Sequence, residues 1–195
     1  MYYKLIFQAK IAVACLFFCS ALKADAANAI DQPITFNLLF RIEFLLDHPP
    51  QKVWPYIIDR QSWITGFSSE TVEGEPGHKG EVIKIIVPSD TIIADEYFAE
   101  VVKVIDQRQV IVKYLPSRAK TNAAYSLSGY DVYDLEVVGG KTRVTFQTFQ
   151  EYRTADMNEM AFRLIMESAS EVAKRRWREV YIPALTALLQ QDIAK

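Results

Sequence analysis

The stretch MNEMAFRLIMESASEVAKRRWREVYIPALTALL, Met157–Leu189, reads as one long helix, and it closes a chain whose preceding hundred or so residues read almost entirely as β-strand. Many strands followed by a single C-terminal helix describe an α+β domain in which a curved sheet holds a helix, a layout that leaves a cavity between the two. At about 100° per residue, Met157, Met160, Ala161, Leu164 and Ile165 share one side of this helix. Trp177, Val180, Tyr181, Ala184 and Leu188 lie nearly opposite, and Ala169 and Ala173 bridge the two groups. The apolar stripe thus drifts in steps of four. Either the helix bends over a twisted sheet, with Pro183 as a candidate cause, or it is covered on two sides, as a homodimer contact would do.

Working back from the helix, Thr142–Tyr152 and Tyr125–Val138 flank Gly139-Gly140, the clearest hairpin turn in the chain. Asp106–Gln109 joins a long strand, Thr91–Ile105, to Val110–Leu115. Glu81–Val87 reads as a further strand after the turn residues Gly74, Pro76, Gly77 and Gly80. Near the start, Thr35–Leu46 alternates, with Phe40, Ile42, Phe44 and Leu46 on one face and Arg41 and Glu43 on the other. Pro49 and Pro50 then open a short helix through Val53–Ile58, in which Pro55 limits regularity. Trp63, Ile64 and Phe67 follow as an apolar patch in a loop or short strand. The count is six or seven antiparallel strands, without βαβ alternation or internal repeats.

At the N-terminus, Lys4 and Lys10 precede a twelve-residue apolar run, Ile11–Leu22, and Ala24-Asp25-Ala26 offers small residues two apart. This is the pattern of a secretory leader, and the run is shorter than the ~20 apolar residues that cross a bilayer. The expectation is a leader over 1–26 cleaved near Ala26, a short extension over 27–34, and one domain over 35–195. The domain would be exported, to the periplasm in a bacterium, with no transmembrane segment in the mature chain. Both cysteines, Cys15 and Cys19, fall in the leader, which excludes disulfides, thiolate catalysis and Cys-based metal sites from the mature domain. Loss of the leader takes the net charge from −2 to −4. Arg175, Arg176 and Arg178 form the sole basic cluster and fan around a helix, so the footprint of a nucleic-acid binder is missing.

The familiar signatures of catalysis are absent as well. Two histidines, His48 and His78, cannot make a three-histidine metal site, and neither a G-x-S-x-G elbow nor a phosphate-cradling glycine loop is present. No cofactor is expected. Carboxylates do lie on the strands, at Asp95, Glu96, Glu100, Asp131, Asp134 and Glu136, and most belong on the solvated face. One that faced a cavity would be desolvated and its pKa raised, which suits either proton transfer or a grip on a polar ligand group. A bulge near Gly129 would switch faces midway and leaves their parity open.

Aromatic residues are spread over nearly every element. Tyrosine suits a wet, amphipathic cavity because its ring is apolar and its hydroxyl needs a partner when buried. The candidate cavity residues are Trp54, Trp63, Phe67, Tyr97, Tyr114, Tyr125, Tyr130, Tyr133 and Phe146, with Met160, Leu164 and Ile165 from the helix. About a third of the aromatics should touch a cavity, and the others fill core.

The strand ending in Asp47-His48-Pro49-Pro50, the segment Val53-Trp54-Pro55-Tyr56-Ile57-Ile58-Asp59, the following Trp63, the Gly-rich turn and the long terminal helix together resemble the START-like (SRPBCC) superfamily. That superfamily holds the Bet v 1-like plant allergens, lipid-transfer domains and bacterial polyketide cyclases. The resemblance implies a helix-grip fold, with two short helices after the first strand and a hydrophobic cavity under the long one. It implies non-catalytic binding of a small hydrophobic or amphipathic molecule, for transport or sequestration. A polyketide cyclase or aromatase-like enzyme using a cavity carboxylate or tyrosine is the alternative, and a protein-interaction module a further one. Fold analogy alone assigns no chemistry.

Overall fold

Gly139 and Gly140 both take positive φ, and the turn they form joins β6 (Gly129–Val138) to β7 (Lys141–Tyr152). The strands pair in unbroken register from Val138↔Lys141 to Gly129↔Gln150. Against β7 lies β1 (Thr35–Leu46), and beyond β6 come β5 (Gln109–Tyr114), β4 (Asp95–Ile105), β3 (Val82–Val87) and β2 (Ser68–Glu73). All seven strands form one sheet, and each neighbouring pair is antiparallel. The computed structural model describes residues 35–87, 95–119, 128–152 and 159–191, all within the compact unit Pro33–Lys195. The expected leader and the extension over 27–34 lie outside the described residues. So do the first residues of the two strands expected to begin at Thr91 and Tyr125.

β2 reads SSETVE and has no apolar alternation to announce a strand; nearly all of it is exposed at the sheet edge, and only its pairing with β3 identifies it. Strand pairing aligns the inner face in rungs. Phe40, Thr148, Asp131, Val112 and Val101 form one, and Ile42, Phe146, Tyr133, Val110 and Val104 form the next. A bulge at Leu39 breaks the β1 register between Leu38 and Phe40. It brings both Leu39 and Phe40 to the cavity, since an extra residue in one strand re-aims its neighbours.

Pro49 caps α1 (Pro50–Ile58), with Pro50 at the first helical position, where a missing N–H costs nothing. Val53 and Ile57 are fully buried. Pro55 sits within the helix, and its carbonyl accepts the Asp59 N–H at 2.9 Å. The second of the two short helices is a single 3₁₀ turn, Arg60–Ser62.

The long helix is α2 (Glu159–Arg176), a π-helical turn (Trp177–Tyr181) and α3 (Ile182–Gln191), without a break. The Ile182 N–H donates to the Trp177 carbonyl, the i→i−5 bond that defines the wide turn. Pro183 follows and has no N–H to hold the ordinary register. The turn resolves the drift seen in the sequence. Ser170, Trp177, Leu185 and Leu189 are all buried, yet over that span an ordinary helix would rotate about 100° too far to keep them aligned. One extra residue in the wide turn absorbs about that angle, so the stripe stays on the sheet. Among the described residues no helix is long and apolar enough to cross a membrane.

Candidate functional site

Between the inner face of the sheet, the loop after α1 and the long helix lies a cavity of about 380 Å³. Its apolar wall comes from Phe40, Ile64, Phe67, Val112, Phe146 and Trp177, among others. Trp177 organises the helix side. It stacks on Phe146 at 4.5 Å between ring centroids and meets Trp63 at 5.7 Å and Tyr181 at 5.6 Å. Over the cavity the loop is tied to the helix at one carbonyl, that of Thr65, which accepts from Arg176 Nη2 at 2.9 Å and from the Tyr181 hydroxyl at 3.3 Å.

A polar patch interrupts the wall on the sheet side. On the central rung Asp131 faces Thr148 across the β6–β7 pair and Val112 across the β5–β6 pair. The Tyr114 hydroxyl donates to Asp131 Oδ2 at 2.8 Å, and the Thr148 side chain bonds the same carboxyl. Desolvation pushes the Asp131 pKa above its ordinary 3.8, against the bonds from Thr148 and Tyr114 and the field of Arg60, which pull it down. Burial also holds the Tyr114 and Tyr133 hydroxyls protonated, their pKa values raised. Arg60 completes the patch, its Cζ 5.3 Å from the centre of the Tyr133 ring. At the rim, the buried Glu81 accepts from the Thr71 hydroxyl and, at 2.7 Å, from the Gly77 N–H, which pins the turn between β2 and β3. Among the described residues no cluster of three metal-ligating side chains occurs.

A stability measurement tests the state of Asp131. Its folded-state pKa is raised, so the associated stability is fully present below the unfolded value and is lost as pH rises through the folded value. Asp131→Asn keeps an acceptor for both hydroxyls and removes the charge. In urea denaturation from acid to neutral pH, the variant should match the parent at the acid end and gain on it as pH rises, by no more than ~1.4 kcal/mol per pH unit. Parallel profiles would show that the carboxyl titrates in the ordinary range.

Of the residues singled out from sequence, Phe67, Tyr114, Tyr133 and Phe146 line the cavity together. The others are placed elsewhere. Trp63 is a core residue, 1% exposed, with its indole N–H donated to the Tyr56 carbonyl at 2.7 Å. Trp54 is half-buried and packs on the core from α1. Tyr130 projects from the outer face of β6, under Lys113 Nζ at 6.0 Å, because inward parity on that strand belongs to Asp131 and Tyr133. Tyr97 shares the parity of Ala99 on β4 but stands outside the lining. Met160 and Leu164 are corrected outright. They are 73% and 62% exposed and stand outside the cavity lining. Tyr125 and the Ile165 side chain lie outside the described residues.

Sequence reasoning missed Arg60, Glu81 and Thr148 and left the orientation of Asp131 open. For Asp131 a signal existed: Tyr133 and Leu135 share its parity, Asp134 and Glu136 take the other, and no bulge interrupts β6. Arg60 has none, because a 3₁₀ turn within Asp59-Arg60-Gln61-Ser62 gives no periodicity to count.

No family model matches the chain, and no curated protein matches it in sequence. Solved structures do match. Ara h 8.0201 superposes with a TM-score of 0.54 at 13% identity, over 82% of this chain and 99% of its own. A protein from Thermus thermophilus gives 0.55 at 12% identity, over 82% and 99%. One from Rhodobacter sphaeroides gives 0.53 at 18%, over 82% and 98%. The fold is a Bet v 1-like helix-grip. At such identities the likeness concerns architecture alone, and the chemistry of this helix-grip domain rests on its own side chains.

Proposed function

We propose that this helix-grip domain is an exported member of the START-like group that binds a small hydrophobic or amphipathic molecule beneath its long helix, without transforming it, for transport or sequestration. The observation that carries the reading is the cavity itself: about 380 Å³, walled by apolar and aromatic side chains, with polar groups around Asp131 and Arg60 and along the β2 rim at Glu70, Thr71 and Glu81. Ligand sites have this composition, with a few polar groups fixing orientation. Burying about 200 Å² of apolar ligand surface would contribute ~5 kcal/mol before ordering costs. The basic, apolar, small-residue pattern at the N-terminus supports export to the periplasm.

The test is mass spectrometry of the domain purified from a bacterial periplasm, intact and then solvent-extracted. A single enriched small molecule released on unfolding is the expected result. Val112→Phe, which places a ring in the cavity beside Asp131, should lower retention of that molecule at least tenfold while changing stability by about 1–3 kcal/mol at most. Retention unchanged in the filled variant would place the molecule elsewhere and refute the reading.

One observation favours a second reading. A buried carboxyl with raised pKa, hydrogen-bonded to a tyrosine inside a cavity, is also how a proton-transfer site is built. A cyclase or aromatase-like activity on a polyketide chain would be abolished by Asp131→Asn with folding intact, whereas simple binding would survive it.

A further inference from the structure

Arg60 is the one cation among the described residues that line the cavity. Glu81 is held by Thr71 and Gly77, Glu70 by Lys84 at 3.4 Å, and Asp131 by Tyr114 and Thr148. Arg60, half-buried in the wall, makes a single hydrogen bond among the described residues, a long one of 3.3 Å from Nη1 to the Ile57 carbonyl. A guanidinium has five N–H donors, and its others have no partner among the described residues. Its charge acts on Asp131, Tyr114 and Tyr133, yet among the described residues no carboxylate forms an ion pair with it. The Tyr133 ring beneath it and the α1 carbonyl behind it hold the planar fork at the cavity. A half-buried guanidinium with donors to spare is the group that recognises a carboxylate through two parallel hydrogen bonds.

We propose that the cavity selects small apolar carboxylic acids, with the acid's carboxylate held by Arg60 and its hydrocarbon body against Phe146, Val112 and Trp177. This rests on the container reading above and adds the ligand's charge to it. The acid-rich composition of the lining argues for the opposite choice, an amine, only if its carboxylates are available. Glu81 is already occupied on both oxygens, Asp131 already accepts two hydroxyls and Glu70 pairs with Lys84; Asp59, exposed at the edge of the lining, is the carboxylate left for an amine, and the amine probe tests it.

Three probes of one shape decide the matter: 2-naphthoate, 2-naphthamide and 2-naphthylmethylamine, titrated calorimetrically into the mature domain at neutral pH. Naphthoate should bind at least tenfold more tightly than naphthamide, and the amine more weakly than either. Arg60→Gln should reduce naphthoate affinity about tenfold, to the level of the amide, while leaving naphthamide within twofold; Arg60→Lys should retain part of the preference. Equal binding of acid and amide, a preference for the amine, or an equal loss of acid and amide in Arg60→Gln would each overturn the carboxylate assignment while leaving the container reading in place. Failure of all three to bind would remove both.

Discussion

Trp177→Ala is expected to destabilise the domain by at least about 3–5 kcal/mol, the usual cost of removing a buried tryptophan. The indole is 4% exposed and meets Phe44, Trp63, Tyr133, Phe146 and Tyr181 at ring-centroid distances of 4.5 to 6.4 Å. Each aromatic pair adds ~0.5–1.5 kcal/mol beyond area burial, so the loss belongs at the upper end. For a domain of this size each kcal/mol lowers the melting temperature by about 2–4 °C, and a fall of roughly 10 °C or more follows. Trp177 also opens the π-helical turn and lines the cavity, so the variant should lose ligand retention even where it remains folded. A denaturant midpoint showing less than ~1.5 kcal/mol of loss would mean that the helix does not depend on this contact.

Gly129→Ala should be nearly as damaging, for a reason of backbone geometry. Gly129 has φ +134°, a conformation that L side chains rarely adopt, and a Cβ there would stand 1.9 Å from the Phe149 carbonyl oxygen. Strain at such a φ costs ~1–3 kcal/mol, and the contact forces β6 away from β7 at the Gly129↔Gln150 pair. The expected loss is ~3 kcal/mol or more, with the disturbance two residues from Asp131. Gly139→Ala is the control. Its φ is +58° and nothing lies within 4 Å of the added carbon, so a cost of about 1 kcal/mol is expected. Urea denaturation of the pair measures the difference, and equal losses would show that steric contact at Gly129 contributes little.

How much of this was readable in the chain varies by element. Strands with one buried face declare themselves, as in Phe40, Ile42, Phe44 and Leu46 alternating with charges, and Gly139-Gly140 fixes a hairpin register. β2 could not be read because an exposed edge strand needs no apolar face. On the helix the four-residue steps were visible, but their resolution by a π-helical turn was not: Pro183 indicates that the register can change without saying where. That ambiguity placed Met160 and Leu164 at a cavity they do not reach. Aromatic composition alone could not separate Trp63, whose indole serves the core, from Phe67 four residues later in the wall. Arg60 is the clearest limit. Its importance comes from groups it does not touch, and that is a property of packed surroundings.

The placement of β1 beside β7 has a consequence for how the chain acquires this structure. Strands β2 to β7 follow one another across the sheet, so each can pair with its predecessor as it emerges. β1 is first in the chain and must wait for the last strand; the buried Thr142 hydroxyl, donated to the His48 carbonyl at 2.7 Å, joins residues 94 positions apart. Closing so long a loop carries an entropic cost before any contact rewards it. The sheet edge of β1 therefore stays unpaired through most of synthesis, and the final meeting of the two ends is expected to set the pace of folding.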